Sequence, residues 1–147
     1  MSVSKYFKGK LNKLEASINL TIKQTVNRNK QTIINQQTKK QWNFGEDKNA
    51  FFLAPSYAYS TYLVKKRKGQ PYDRVTLKDT GDLYKSIKVD AQINSFIIST
   101  NSDYFEYLVN RFEGNQLLGL QDEFLKQFVT TKVLPNLKKK FKDIISK

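Results

Sequence analysis

Seven apolar residues near the start of the 147-residue chain constrain its fold more than any other feature. Phe7, Leu11, Leu14, Ile18, Ile22, Val26 and Ile33 follow one another at spacings of 4, 3, 4, 4, 4 and 7. That rhythm keeps one face of an α-helix apolar, while Lys, Asn, Gln and Thr fill the other. The periodicity covers residues 5–37, and about 30 helical residues would span roughly 45 Å. One small domain has difficulty covering a stripe of that length. Phe7, Leu11, Leu14, Ile18 and Ile22 are therefore candidate subunit-interface residues, the alternative being a helix laid along the chain's own sheet.

The chemistry open to the chain is narrow. It contains no histidine and no cysteine. Disulfides, thiolate zinc sites, cysteine nucleophiles, Ser-His-Asp triads and imidazole metal centres are excluded on that ground. General acids and bases are limited to carboxylates, lysine and tyrosine. No phosphate-binding glycine loop or dinucleotide turn is present, and neither Glu106 nor Glu113 lies in a recognisable carboxylate motif. The reading is a non-enzyme with no cofactor and no metal.

Charge is abundant and unevenly placed. Lys and Arg number 26 against 13 Asp and Glu, a formal charge of +13. Residues 1–70 hold 14 basic and 3 acidic side chains (net +11), residues 71–131 hold 6 and 9 (net −3), and residues 132–147 hold 6 and 1 (net +5). Part of this lysine excess is what an AT-rich genome would encode. Two basic ends around an acidic middle suit a nucleic-acid surface. They suit equally a subunit whose basic end meets a neighbour's acidic middle. Aromatics at 13% mark a folded chain, and its apolar runs are too short and too polar for a membrane span. The first residues lack the apolar core of a secretory signal, which points to synthesis in a cytoplasm without membrane association.

Residues 38–50 are polar, contain Gly45 and read as a loop. Trp42, the single tryptophan, sits there beside Phe44; such a pair either tucks onto the body or contacts a partner, so Trp42 joins the interface candidates. Beyond Pro55, Tyr59, Tyr62 and Leu63 have helical spacing, and Tyr59 and Tyr62, which offer apolar area with a polar tip, join the subunit-interface candidates. Lys65, Lys66, Arg67 and Lys68 precede Gly69 and Pro71 and read as an exposed loop. With Lys138, Lys139 and Lys140 they form the candidate basic contact, either a solvated surface or a site for phosphates or an acidic partner. Asp79 or Thr80 is positioned to cap a short helix after Gly81, with Asp82 in its first turn and Leu83 and Ile87 on one face. Capping accounts for the Asp79/Asp82 pair without a metal.

Residues 86–91 alternate, a polar turn follows, and 96–100 form a second β-rich run, which together predict an antiparallel hairpin with Phe96 and Ile98 on one face and Ile97 on the other. Residues 102–114 fit a helix or a third strand. Phe124, Leu125, Phe128, Val129, Val133, Leu134, Leu137, Phe141, Ile144 and Ile145 predict a C-terminal amphipathic helix, kinked or divided at Pro135. The expected fold is α+β: a long N-terminal helix and a C-terminal helix packed on a small antiparallel sheet. It forms a single domain over 1–147, with the long helix in 1–37, a loop-rich insertion carrying the basic run in 38–76, a small β-rich core in 77–120 and the C-terminal helix in 121–147.

The order of these pieces resembles the tail-completion, or head–tail joining, proteins of tailed bacteriophages, also called virion morphogenesis proteins. The matching residues are Asp79-Thr80-Gly81-Asp82-Leu83-Tyr84-Lys85-Ser86-Ile87, where the family pattern has a Thr-Gly, a Leu two residues later and a Ser-Ile running into a strand. Tyr104-Phe105-Glu106-Tyr107, Phe112-Glu113-Gly114 and the Leu-Gly-Leu at 118–120 before the last helix are also similar. The family often has Tyr-Ala where this chain has Tyr104-Phe105, and the stretch 38–76 has no placed counterpart. The resemblance implies a non-catalytic virion protein, assembled in the host cytoplasm into a homo-oligomeric ring at the neck or upper tail. Its partners would be portal, neck or tail proteins, with weak nonspecific contact to DNA left open.

Overall fold

In the computed structural model, which describes residues 2–146, the chain is a mixed helical fold around one two-stranded antiparallel sheet. The N-terminal stripe forms α1, Val3–Arg28. Ser2 caps it, its Oγ accepting from the Lys5 N–H at 3.2 Å. Inside the helix Thr21 and Thr25 are buried, and each hydroxyl donates to the carbonyl four residues back, at 2.8 Å. That bond lets a polar residue sit on the buried face.

Helical periodicity continues as expected past residue 28, but not in one straight rod. Asn29 leaves helical geometry (φ −120°, ψ 23°) and its side-chain amide donates to the Thr25 carbonyl. A short α2, Lys30–Asn35, then widens into a π turn, Gln36–Gln41, and tightens into a 3₁₀ turn, Trp42–Phe44. The loop expected over 38–50 therefore begins only at Gly45, whose φ of 79° ends the helix. Trp42 is fully buried at the centre of the core, so it is corrected from an interface candidate to a structural residue.

A cis peptide joins Ala54 to Pro55, and α3 runs Tyr59–Arg67. The basic run is thus the end of a helix and not a loop. Gly81, in left-handed geometry at φ 92°, starts α4, Asp82–Lys85. Neither Asp79 nor Thr80 is the capping residue, although the Thr80 hydroxyl accepts from the Asp82 N–H at 3.3 Å. Strands β1, Ile87–Ala91, and β2, Phe96–Thr100, pair with Val89 opposite Ile98. The hairpin lies where the alternation places it: Phe96 and Ile98 pack inward and Ile97 is exposed. Ser86 closes its open end, with Oγ 2.6 Å from Thr100 Oγ1.

Residues 104–111 resolve as helix α5, Tyr104–Arg111. The C-terminal helix is α6, Asp122–Phe128, a π turn, Val129–Val133, and α7, Leu134–Ile145. The expected division at Pro135 is this π turn. A wide turn accommodates a ring that has no N–H to donate and would collide with the preceding turn's carbonyl.

The buried side of β1 joins two apolar clusters. Ile87 belongs to one with Trp42, Leu53, Val75, Leu77, Leu83, Leu108, Phe112 and Leu117. Val89 belongs to the other with Val26, Ile33, Leu120, Phe128 and Val133, where Phe96 meets Phe128 edge-on at 6.2 Å. The long helix and the C-terminal helix both pack in this second cluster, and Asn136 on α7 donates to Thr25 on α1 at 3.1 Å.

Candidate assembly surface and tyrosine cleft

The interface candidates on α1 fall into two groups. Leu14, Ile18 and Ile22 are half-buried, and Ile22 packs against the second cluster. Phe7 and Leu11 are 58% and 62% exposed, and every residue from Ser2 to Lys13 is exposed. Three turns of helix thus extend beyond anything that covers them. Val3, Phe7 and Leu11 repeat at four-residue spacing along this arm, with Lys5, Lys8, Lys10 and Lys13 beside them. At the other end of the chain Phe141, Ile144 and Ile145 are also exposed, next to the exposed Lys138, Lys139 and Lys140.

The basic run on α3 is not uniform. Lys66, Arg67 and Lys68 are exposed, but Lys65 is buried. Its Nζ donates to the Lys78 carbonyl at 2.5 Å and to Gln70 Oε1 at 3.3 Å, and lies 5.0 Å from the centre of the Tyr57 ring. Lys65 is therefore corrected from a free basic contact to a strut between α3 and the 75–79 segment. Helix geometry causes this: the residue before and the two after it point outward, while Lys65 points in. Lys68 makes a 3.8 Å ion pair with Asp79.

Between α3, the 75–79 segment and α5 lies an open cleft of about 450 Å³. Tyr57, Tyr104 and Tyr107 line it, with Lys68, Lys78 and Arg111. Tyr104 and Tyr107 stack at 5.2 Å. Burial, reinforced by the neighbouring Tyr107 and Asp79, holds the Tyr104 hydroxyl above its ordinary pKa. Of the tyrosines proposed for an interface, Tyr59 is exposed and stacks at 6.0 Å on the half-buried Tyr62, which meets Tyr72 edge-on. Sequence reasoning did not connect α5 to this cleft, because nothing local marks which elements become neighbours.

The motif around residue 80 is structural. Leu83 is buried in the core, Gly81 supplies the left-handed turn, and Ser86 Oγ donates to the Leu83 carbonyl at 2.7 Å. Tyr84 packs its ring 5.6 Å from Trp42 and donates to the Thr76 carbonyl at 2.5 Å.

The polar centre of the fold was hidden in the sequence. Gln37 Nε2 donates to the Leu117 carbonyl and Gln37 Oε1 accepts from the Gly119 N–H. One turn on, Gln41 Nε2 donates to the Gly119 carbonyl and its Oε1 accepts from the Gln121 N–H, while Trp42 Nε1 donates to Leu117. Asp47, fully buried, accepts from the backbone N–H groups of Asn49, Phe51 and Gln116 and from Asn115 Nδ2. Burial alone would raise its pKa, but these bonds together hold the carboxyl below 3.8. The turn they fix presents Phe51 and Phe52, both largely exposed.

Among the described residues no three Asp or Glu side chains cluster as metal ligands, and no helix is long and apolar enough to cross a membrane. Comparison with protein-family models, with curated proteins and with solved structures finds no match.

Proposed function

We propose that this chain is a structural subunit of a tailed-phage virion, which forms a ring at the neck or upper tail and acts by assembly. The observation that carries the reading is the uncovered arm of α1, three helical turns with an apolar stripe that the chain's own core leaves bare. A monomer gains nothing from keeping Val3, Phe7 and Leu11 in water; a neighbour that covers them gains their burial. The ordered resemblance over residues 77–145 supports the same reading and supplies the location. Partners would be further copies of the chain and the portal, neck or tail proteins on either side, and the host cytoplasm would be the place of assembly. Mass spectrometry of purified virions, with electron microscopy of the neck, tests it. The chain should be found in particles in ring-like copy number, and its absence from them would refute the reading.

A second reading, a basic DNA-binding protein, draws on the tyrosine cleft and its rim of Lys68, Lys78 and Arg111. Aromatic faces beside cations suit bases and phosphates. A gel shift at low salt tests it, since a complex held by phosphate contacts dissolves steeply as salt rises.

A further inference from the structure

The tyrosine cleft has a buried cation in its wall with no counter-ion. Lys65 is 6% exposed, and the oxygens its ammonium reaches, the Lys78 carbonyl and Gln70 Oε1, are both uncharged. They take two of its three protons. Gln70, Lys78 and Tyr57, whose ring centre lies 5.0 Å from Nζ, all line the cleft. An ammonium taken out of water is costly unless it is paired. Among the described residues no carboxylate lies within 4 Å of Lys65 or Arg111, and the acidic side chain of the lining, Asp79, pairs with Lys68. Beyond the effect of burial, Tyr107 and Asp79 raise the pKa of the Tyr104 hydroxyl and Arg111 lowers it, which places these groups around one ring. Lys78 also lines the cleft, but its ammonium lies over Tyr84, 5.7 Å from the ring centre. Lys65, Lys68 and Arg111 against Asp79 leave the cleft with two positive charges unanswered.

We propose that this cleft binds an unpaired nucleotide, its base stacked against the Tyr104–Tyr107 pair and its phosphate among Lys65, Lys68 and Arg111. The inference rests on the DNA-binding reading above and deepens it, by naming the form of nucleic acid that the cleft can take. Ring geometry selects a planar ligand. Tyr104 and Tyr107 stack at 5.2 Å with 27° between their planes, and at 54% and 52% exposed they leave an outer face for a third ring. The buried Leu108 and Phe112 supply apolar wall beside them. Charge selects phosphate over a single carboxylate. Two unanswered positive charges match a phosphate monoester, at about −1.5 to −2, or two successive diesters of a strand. Size and access select against a duplex. A cleft of about 450 Å³ is in the range of small-ligand sites, and paired bases stay stacked on one another with no free face to offer. A free nucleotide and an unpaired stretch of strand present the same unit to the cleft.

The test is binding of a fluorescently labelled oligothymidylate of about six nucleotides to the full chain, by anisotropy at about 0.05 M salt. Wild type should bind it roughly tenfold or more tightly than a duplex of the same length. Adenosine 5′-monophosphate should displace it, and adenosine, which lacks the phosphate, should do so roughly tenfold less well. Displacement by the monophosphate at concentrations near those of unlabelled strand assigns the cleft to free nucleotides, and displacement only far above them assigns it to a strand; the recognised unit is the same in both. Tyr104→Leu should weaken strand binding by about five- to tenfold through the lost stack, and Arg111→Gln by a similar factor. Both side chains are exposed, so circular dichroism and the urea midpoint should stay those of wild type. Lys139→Gln, on the exposed end of α7 and outside the cleft, should change binding by less than about twofold. Strand and duplex bound equally, with neither cleft substitution having an effect, would overturn the cleft site and leave a basic DNA-binding surface elsewhere on the chain. No binding of strand, duplex or monophosphate would overturn both the site and the DNA-binding reading. A tripeptide ending in phenylalanine that displaces the strand better than the monophosphate does would also overturn the site, and would assign the cleft to protein carboxylates.

Discussion

Replacing Gln41 with alanine should be among the most damaging single changes to this fold. Its side chain is fully buried and spans two backbone groups of the 117–121 segment, at 2.8 Å from the Gly119 carbonyl and 2.7 Å from the Gln121 N–H. That segment belongs to neither helix nor sheet, so these groups have no secondary-structure ladder to return to. Each group stripped of its partner in a buried site costs about 1–3 kcal/mol. The pair therefore costs roughly 4 kcal/mol, a large share of the ~5–15 kcal/mol that holds a domain together. At a urea slope of about 2 kcal/mol per molar, the unfolding midpoint should fall by about 2 M. Heating should show a loss of roughly 8–16 °C. The assay is urea unfolding followed by circular dichroism and by fluorescence of Trp42, the only tryptophan, which reports from the same segment through its bond to Leu117. Gln31→Ala is the control, since Gln31 is exposed and bonds only to Asn35. It should stay within about 0.5 kcal/mol of wild type. A Gln41→Ala loss under about 1 kcal/mol would refute the reasoning, because it would mean that the two groups find other partners and that the glutamine is not what fixes the segment.

Two glycines should respond in opposite directions. Gly45→Ala places a Cβ 3.1 Å from Arg74 Cβ and 3.2 Å from the Val75 carbonyl at φ 79°, and should cost about 1–3 kcal/mol in thermal or urea unfolding. Gly9→Ala, inside α1 with nothing within 4 Å, should stabilise that helix by about 0.5–1 kcal/mol, read as higher helical circular dichroism. Asp47 makes stability depend on acid: its folded pKa lies below its unfolded value of 3.8, so its contribution is present above that value and is lost as pH falls through the folded pKa. Wild type should lose stability below about pH 4, and Asp47→Asn should start less stable and lose less over the same range, in urea titrations at stepped pH. Lys65→Met keeps the buried stem but removes the donor to the Lys78 carbonyl, and should cost about 1–3 kcal/mol, where Lys66→Met costs under about 0.5.

The elements with strong periodicity were legible. The stripe from Leu14 to Val26, the alternation from Ile87 to Ala91 and the apolar face from Phe124 to Leu137 bury apolar side chains at the interval their backbone dictates, while the outer ends of both helices keep the same rhythm uncovered. What hid was burial by polar residues. Gln37 and Gln41 read as a solvated stretch, although they extend the stripe from Ile33 at the same spacing of four. Hydropathy registers an amide as outward-facing, whereas this one turns inward because its two ends match a carbonyl and an N–H one segment away. The basic run hid for a related reason: four cations before a glycine suggest a loop, and only the fold brings the Lys78 carbonyl within reach of Lys65. The tyrosine cleft could not be read at all, since Tyr57 and Tyr104 lie far apart in the chain and meet only when α5 folds back beside α3.

Stability and association should therefore be separable in this molecule. The polar lock around Gln37, Gln41 and Asp47 and the two clusters that meet at β1, with the side chains packed on them, lie within residues 21–137, and no residue before Leu14 is even half-buried. Substitutions in the arm change what the chain can touch while leaving what holds it folded. Substitutions in the lock do the reverse. The charge distribution sharpens the division. With net charge at +13 and almost no internal pairing, the isolated chain repels itself, and the repulsion is concentrated at its ends. Added salt should then act in opposite senses on the two properties, relieving repulsion within a monomer while weakening attraction between copies. Unfolding and sedimentation measured on one salt series would show it: a rise in melting temperature alongside a fall in association. A parallel change in both would mean that assembly is driven by the apolar stripe alone and that the segregated charges are incidental to it.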